Sequence, residues 1–227
     1  MAATNKLLEI IEEKITMAGA YRDVHHPEMI IYQATKAPSR SMYIEGRGES
    51  FVEDYINVAN KLHSIGAEKL CMNCNTAHYA IEEISKRTKL SFINLIEEVA
   101  ITIKNRHIQS VGLMVTDGSR LCKIYDKYIT QICSNVKIIY PSEEMQKKVT
   151  EGICNIKNIN RFNDENSPAR PKNIFSSVSE YLRQEGAEIV ISGCTDIRVD
   201  YKSKYKNDID SLEVLADAII RESDYKN

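Results

Sequence analysis

No stretch of this sequence approaches the ~20 consecutive apolar residues that a membrane-spanning helix requires, and residues 1–10 lack the apolar core of a secretory signal. A large charge imbalance is missing as well. The chain carries 30 Lys and Arg against 32 Asp and Glu, a net −2, which supplies no global field to draw in nucleic acid or an anionic membrane. Cysteine lacks the density of a small secreted disulfide scaffold, the six residues at 71, 74, 122, 133, 154 and 194 being scattered over 227 positions. These absences lead us to expect free thiols in a reducing, cytoplasmic setting, with no nucleic acid and no membrane as partner. Apolar residues at 43% and charged residues at 27% fit an ordinary globular protein. Its length suffices for one large α/β domain or two small lobes.

What is present is alternation. Leu7, Leu8, Ile10, Ile11 and Ile15 form a helical stripe near the start. Strands are expected at 29–33, 69–73, 91–94, 111–115, 136–140 and 188–192, and helices over 51–64, after Thr76, near Tyr125, over 176–184 and over 212–221. Such alternation predicts parallel sheets covered by helices. The segment 158–172, containing Asn-Asp-Glu-Asn-Ser-Pro, reads as a polar surface loop.

An internal echo marks two places. Residues 62–74 and 182–194 share the pattern L-x3-G-A-E-x5-C. Each copy reads as a helix ending at Gly, then a strand, then a Cys where the next turn begins, and Gly at a helix C-terminus suits the left-handed conformation. Two such units suggest two half-domains related by a pseudo-twofold, each presenting one thiol. Ligands of open α/β sheets bind beyond the carboxyl ends of strands, and helix starts there favour carboxylates and lower thiol pKa values. Two thiols on opposite faces of one α-carbon would suit stereoinversion, one removing the proton and the other returning it.

Plainer roles compete with this one. A Cys at a strand end is more often a small buried hydrophobe, and we read Cys122, Cys133 and Cys154 so. Cys71 and Cys74 form a C-x-x-C, which could mark zinc or a redox pair, although no second Cys/His pair has suitable spacing. His78 is either a neighbour of the site or a surface imidazole.

At the two thiols the sequence resembles the aspartate/glutamate racemase family. Cys74-Asn-Thr-Ala-His is close to the family's C-N-T-A-H, and Gly193-Cys-Thr-Asp-Ile is close to its G-C-T-E-hydrophobic pattern. Similarity continues through 46–50, 116–119 and 210–215, and so over nearly the whole chain. The resemblance implies two flavodoxin-like lobes with the site between them: residues 1–95 and 205–227 in an N-terminal lobe, 96–204 in a C-terminal one. It implies a homodimer that needs no pyridoxal phosphate or metal, and a dicarboxylic amino acid, aspartate or else glutamate, as substrate. Cys74 and Cys194 would be the catalytic pair. Arg40 and Lys157 would bind carboxylates, the former having an alternative as a plain surface charge. Asn75, Thr76, Ala77 and Thr195 would complete substrate binding, with His78, Ser119 and Asp196 behind them.

Three departures accompany the resemblance. Asp196 replaces the usual Glu, and Ser39 replaces the Asp before the arginine. Family members also begin with a strand and a G-G-M-G-P loop, whereas this sequence opens just after that point. The first sheet is therefore expected to lack a central strand. Related enzymes leave competing readings: a dicarboxylate or hydantoin isomerase or racemase, or a truncated, inactive form that only binds.

Overall fold

The computed structural model describes every residue except Lys89 and 224–227. Among these residues no helix is long and apolar enough to cross a membrane. The architecture is α/β with two parallel sheets, as the alternation predicts. The smaller sheet pairs β1 (Lys69–Cys71) with β2 (Ser91–Ile93). The larger has the order β4-β3-β5-β6, from β3 (Ser110–Met114), β4 (Lys137–Ile139), β5 (Ile189–Ser192) and β6 (Ile209–Asp210).

Helices cover both faces of the larger sheet. On one lie α1 (Ala2–Met17), α5 (Leu95–Asn105), α7 (Ile124–Ile132) and α10 (Ser211–Glu222); on the other lie α8 (Glu143–Asn155) and α9 (Pro171–Gln184). Alternate strand residues point to opposite faces, so Val111, Leu113, Ile189 and Ile191 join the first core while Met114 and Val190 join the second. A third core, with Phe51, Val52, Ile56, Ile81 and Ile84, lies between α3 (Val52–Ser64), α4 (Ile81–Arg87) and the smaller sheet. Two short helices, α2 (Arg40–Ile44) and α6 (Asp117–Leu121), pack against each other.

Local chemistry sets the boundaries. Asn94, Thr116, Ser142 and Asp210 each accept a backbone N–H at the start of a helix, and Pro171 occupies the first turn of α9, where its missing N–H costs nothing. The two copies of the sequence echo end their helices in the same way. Gly66 and Gly186 have φ of 98° and 97°, and Ala67 N donates to Leu62 O at 3.0 Å just as Ala187 N donates to Leu182 O at 3.0 Å. Both are Schellman caps, each leading into the strand that ends beside a thiol.

Two expectations are corrected. Residues 29–33 form no strand, and Met29, Ile30, Ile31 and Tyr32 are 40–49% exposed. A short apolar run gives a strand only where a neighbour supplies hydrogen-bond partners, and β1 pairs solely with β2 among the described residues. The core also divides elsewhere than at residues 95 and 205. β6 hydrogen-bonds to β5, and α1 and α10 share a core cluster with the larger sheet. A two-stranded sheet is too small to bury the stripe of α1, so Leu7, Ile10, Ile11 and Ile15 pack into that joint core. The last four residues of the expected 205–227 segment lie outside the described ones. The 158–172 loop ends two residues early, where Pro171 opens α9, and carries a short 3-10 turn at Ile159–Phe162.

Candidate active site

Both thiols sit just past the carboxyl end of a strand, Cys74 three residues after β1 and Cys194 two after β5. The two loops touch. Thr195 Oγ1 donates to the backbone oxygen of Asn73 at 3.3 Å, so the residue after one thiol is bonded to the residue before the other. Cys194 is buried and Cys74 half-buried, and neither is in a disulfide. Burial pushes the Cys194 thiol far above its ordinary range; the charges of Asp196 and Cys74 push the same way, against an opposing backbone N–H of Asp196 and the Lys157 ammonium. Burial thus favours the protonated form of the Cys194 thiol.

Two cations flank the pair. Arg40, at the start of α2, donates from Nη1 to Pro38 O at 3.1 Å. Burial opposes its charge, but Cys74, Tyr55 and Asp196 outweigh that and raise its pKa. Ser39, where the family pattern has Asp, caps α2 by accepting the Met42 N–H. Lys157 lies on the Cys194 side, paired with Asp196 at 2.8 Å. Crowding of its ammonium by protein is outweighed by Asp196 and the two thiols, and its pKa rises. Arg40, Cys74, Lys157, Cys194 and Asp196 thus share one electrostatic neighbourhood.

The remaining predicted residues divide between this neighbourhood and the scaffold under it. Thr76 Oγ1 lies 2.9 Å from Thr116 Oγ1 and 3.0 Å from Ser119 Oγ, a buried triad of hydroxyls joining the loop after β1 to α6. Asn75 donates to Ser211 Oγ at 3.1 Å and accepts from Tyr125 OH at 2.8 Å. Ala77 is fully buried, and its N–H goes to Cys74 O at 3.2 Å. Of the two readings of His78, the surface imidazole is set aside and it stands as a buried neighbour of the Cys74 loop. It is buried, its Nδ1 is 2.9 Å from Cys74 O, and its Nε2 accepts the Leu95 N–H at 3.1 Å. Those partners fix the tautomer with hydrogen on Nδ1, and burial drops its pKa to about 4.

Two members of the site escaped the sequence. Tyr55 on α3 borders both Cys74 and Arg40, and burial, then Cys74, pushes its hydroxyl up to about 12. It reads in sequence as one more residue on a helix face. Asn73 has both side-chain amide atoms buried without a partner, and Arg40 Nε is in the same state. Buried polar groups are rarely left unpaired, so these atoms stand out beside the thiols. The signal was there in the echo, where Asn73 stands against Gly193. Among the described residues no group of three His, Cys, Asp or Glu side chains could share a metal ion.

Residues 4–219 match the model of the Asp/Glu/hydantoin racemase family. The chain belongs to that family. Such a racemase is an isomerase of the amino-acid class. The chain is 24% identical over 214 residues to the broad specificity amino-acid racemase RacX of Bacillus subtilis (strain 168), covering 93% of this chain and 88% of the relative. Among solved structures it resembles the aspartate racemase of Picrophilus torridus at 26% identity and a TM-score of 0.81, over 97% of this chain and 88% of that one. Glutamate racemase isoform RacE1 from Bacillus anthracis shares the fold, at 15% identity and a TM-score of 0.68, over 99% of this chain and 80% of that one.

Proposed function

We propose that this racemase inverts an acidic amino acid, aspartate or glutamate, by a two-base proton transfer between Cys74 and Cys194. The observation that carries the reading is the Thr195–Asn73 hydrogen bond, which draws the two thiol-bearing loops into one place. A thiolate on one cysteine takes the Cα proton, the electron pair stays on Cα, and the thiol of the other cysteine delivers its proton to the opposite face. The two sulfurs then have exchanged protonation states. Burial raises the pKa of the Cys194 thiol, which favours its protonated form as a donor.

Stabilising the carbanion-like transition state is the main burden, and preorganised charge carries it. Arg40 offers a fork of N–H groups to a carboxylate. Lys157 faces the second carboxylate, in exchange with Asp196. No step calls for a cofactor. Assembly as a homodimer belongs to the same reading and is checked by sedimentation.

The test is α-proton exchange in deuterated water. Cys74→Ala and Cys194→Ala should each lose racemisation by about 10³-fold, the scale of a lost general acid or base. Each should still wash deuterium into the one enantiomer its remaining thiol faces. Racemisation at the wild-type rate by either variant would defeat the two-base assignment.

A further inference from the structure

Tyr125 on α7 is fully buried in the apolar core against the larger sheet. A phenylalanine would fill that space equally well, and a hydroxyl carried so deep is costly unless it is bonded. This hydroxyl reaches the site, donating to Asn75 Oδ1 at 2.8 Å. The other end of that amide is held too, Asn75 Nδ2 donating to Ser211 Oγ at 3.1 Å and Ser211 Oγ to Ser192 O at 2.8 Å. Asn75 directly follows Cys74. The tip of the same phenol rests on the residue before Cys194. A Cβ on Gly193 would meet Tyr125 OH at 3.0 Å, its Cε2 at 3.1 Å and Val115 Cγ1 at 2.6 Å, so glycine is what admits the ring this close to the backbone. Burial, and then the Cys194 thiol, push the hydroxyl well above its ordinary range against the opposing Ser211, which keeps it a donor.

Thr195 joins the residue after Cys194 to the residue before Cys74. Tyr125 makes the reciprocal junction, from the residue after Cys74 to the residue before Cys194. Each thiol is thereby flanked on both sides by a contact to the other loop. We infer that Tyr125 is a positioning residue for inversion, its phenol setting how the Cys74 loop and the Cys194 loop face each other. It acts through Asn75 and Gly193 rather than on the substrate. The inference rests on the two-base reading above and adds a residue that the sequence presents only as part of a helix.

Inversion needs both sulfurs in register with one carbon, whereas proton removal needs one. Loosening the junction therefore separates two events. A thiolate takes the Cα proton and its S–H exchanges with solvent; when the second thiol is out of reach, the first returns a deuteron to the face it came from. Assays in deuterated water with L-aspartate and L-glutamate read both events, by chiral separation and the mass of each enantiomer. The wild type should place deuterium chiefly in the inverted product. Tyr125→Phe keeps the ring and drops the bond to Asn75. Its ratio of deuterium in the recovered starting enantiomer to deuterium in the inverted product should rise about tenfold, and kcat for inversion should fall by up to about 100-fold, the scale on which misplaced reacting groups act. Ile103→Val, a methyl lost from the same core on α5, touches neither junction and should keep the wild-type ratio. Gly193→Ala presses on the phenol from the other end and should raise the ratio as well, and it decides the matter alone should Tyr125→Phe fail to fold. An unchanged ratio in folded Tyr125→Phe, or an equal rise in Ile103→Val, overturns the inference and leaves the two-base reading standing. A wild type that neither inverts nor exchanges either amino acid sinks that reading instead.

Discussion

His78 shows how far a single residue can be read. Its place one turn after Cys74 is visible in the sequence, but its role depends on Leu95, seventeen residues on, which no local pattern names. The ring spans the Cys74 carbonyl and the first N–H of α5, so it fixes the loop that carries the thiol. A neutral, buried imidazole also makes stability depend on pH. The folded value is about 4 against 6.5 ordinarily, so as pH falls below 6.5 the unfolded chain takes up the proton first and stability is lost down to about pH 4. That loss amounts to about 3 kcal/mol. Chemical denaturation between pH 7 and 4 should show this decline in the wild type. His78→Asn should be less stable at pH 7 by about 2 kcal/mol, since a buried N–H or C=O loses its partner, and should lack this part of the decline. A variant that declines in parallel with the wild type would assign the pH dependence to other groups.

Elements were more legible than their partners. The echo located β1 and β5 and both thiols, because a Gly-terminated helix followed by a strand is a local instruction. The stretch 29–33 carried only a short apolar run and formed no strand, since pairing is decided by neighbours far along the chain. Contacts between elements were likewise invisible. Gly118 N donates to Ser41 Oγ at 2.9 Å, and a Cβ on Gly118 would meet Ser41 Cα at 2.8 Å. This close approach holds α2, and with it Arg40, against α6. Gly118→Ala should push α2 outward, because the atom it meets is backbone. Steady-state kinetics should then report KM raised about tenfold, the scale of a weakened charged hydrogen bond, with kcat changed less. An unmoved KM would mean that this contact does not locate Arg40.

Across the whole molecule, the smaller sheet is joined to the larger by a seam of buried polar bonds around the site. Asn75 reaches Ser211 and Tyr125, Thr76 reaches Thr116 and Ser119, and Thr195 reaches Asn73. The family resemblance makes Asn75, Thr76 and Thr195 candidate ligands; the three-dimensional arrangement adds that each also bonds across the seam. A buried hydroxyl or amide that loses a partner costs about 1–3 kcal/mol, so Asn75→Ala, which removes the acceptor of Tyr125 OH, should lower unfolding free energy by about 2 kcal/mol. Hydrogen exchange should rise more in β1 and β2 than in β3 and β5. Equal loss in both sheets would argue that the seam does not act as the joint between them.

The latch from Thr195 to Asn73 also limits how the molecule can breathe. It joins the residue before Cys74 to the residue after Cys194, so the two thiol-bearing loops are tied to each other directly. The two loops can part only if this bond gives way.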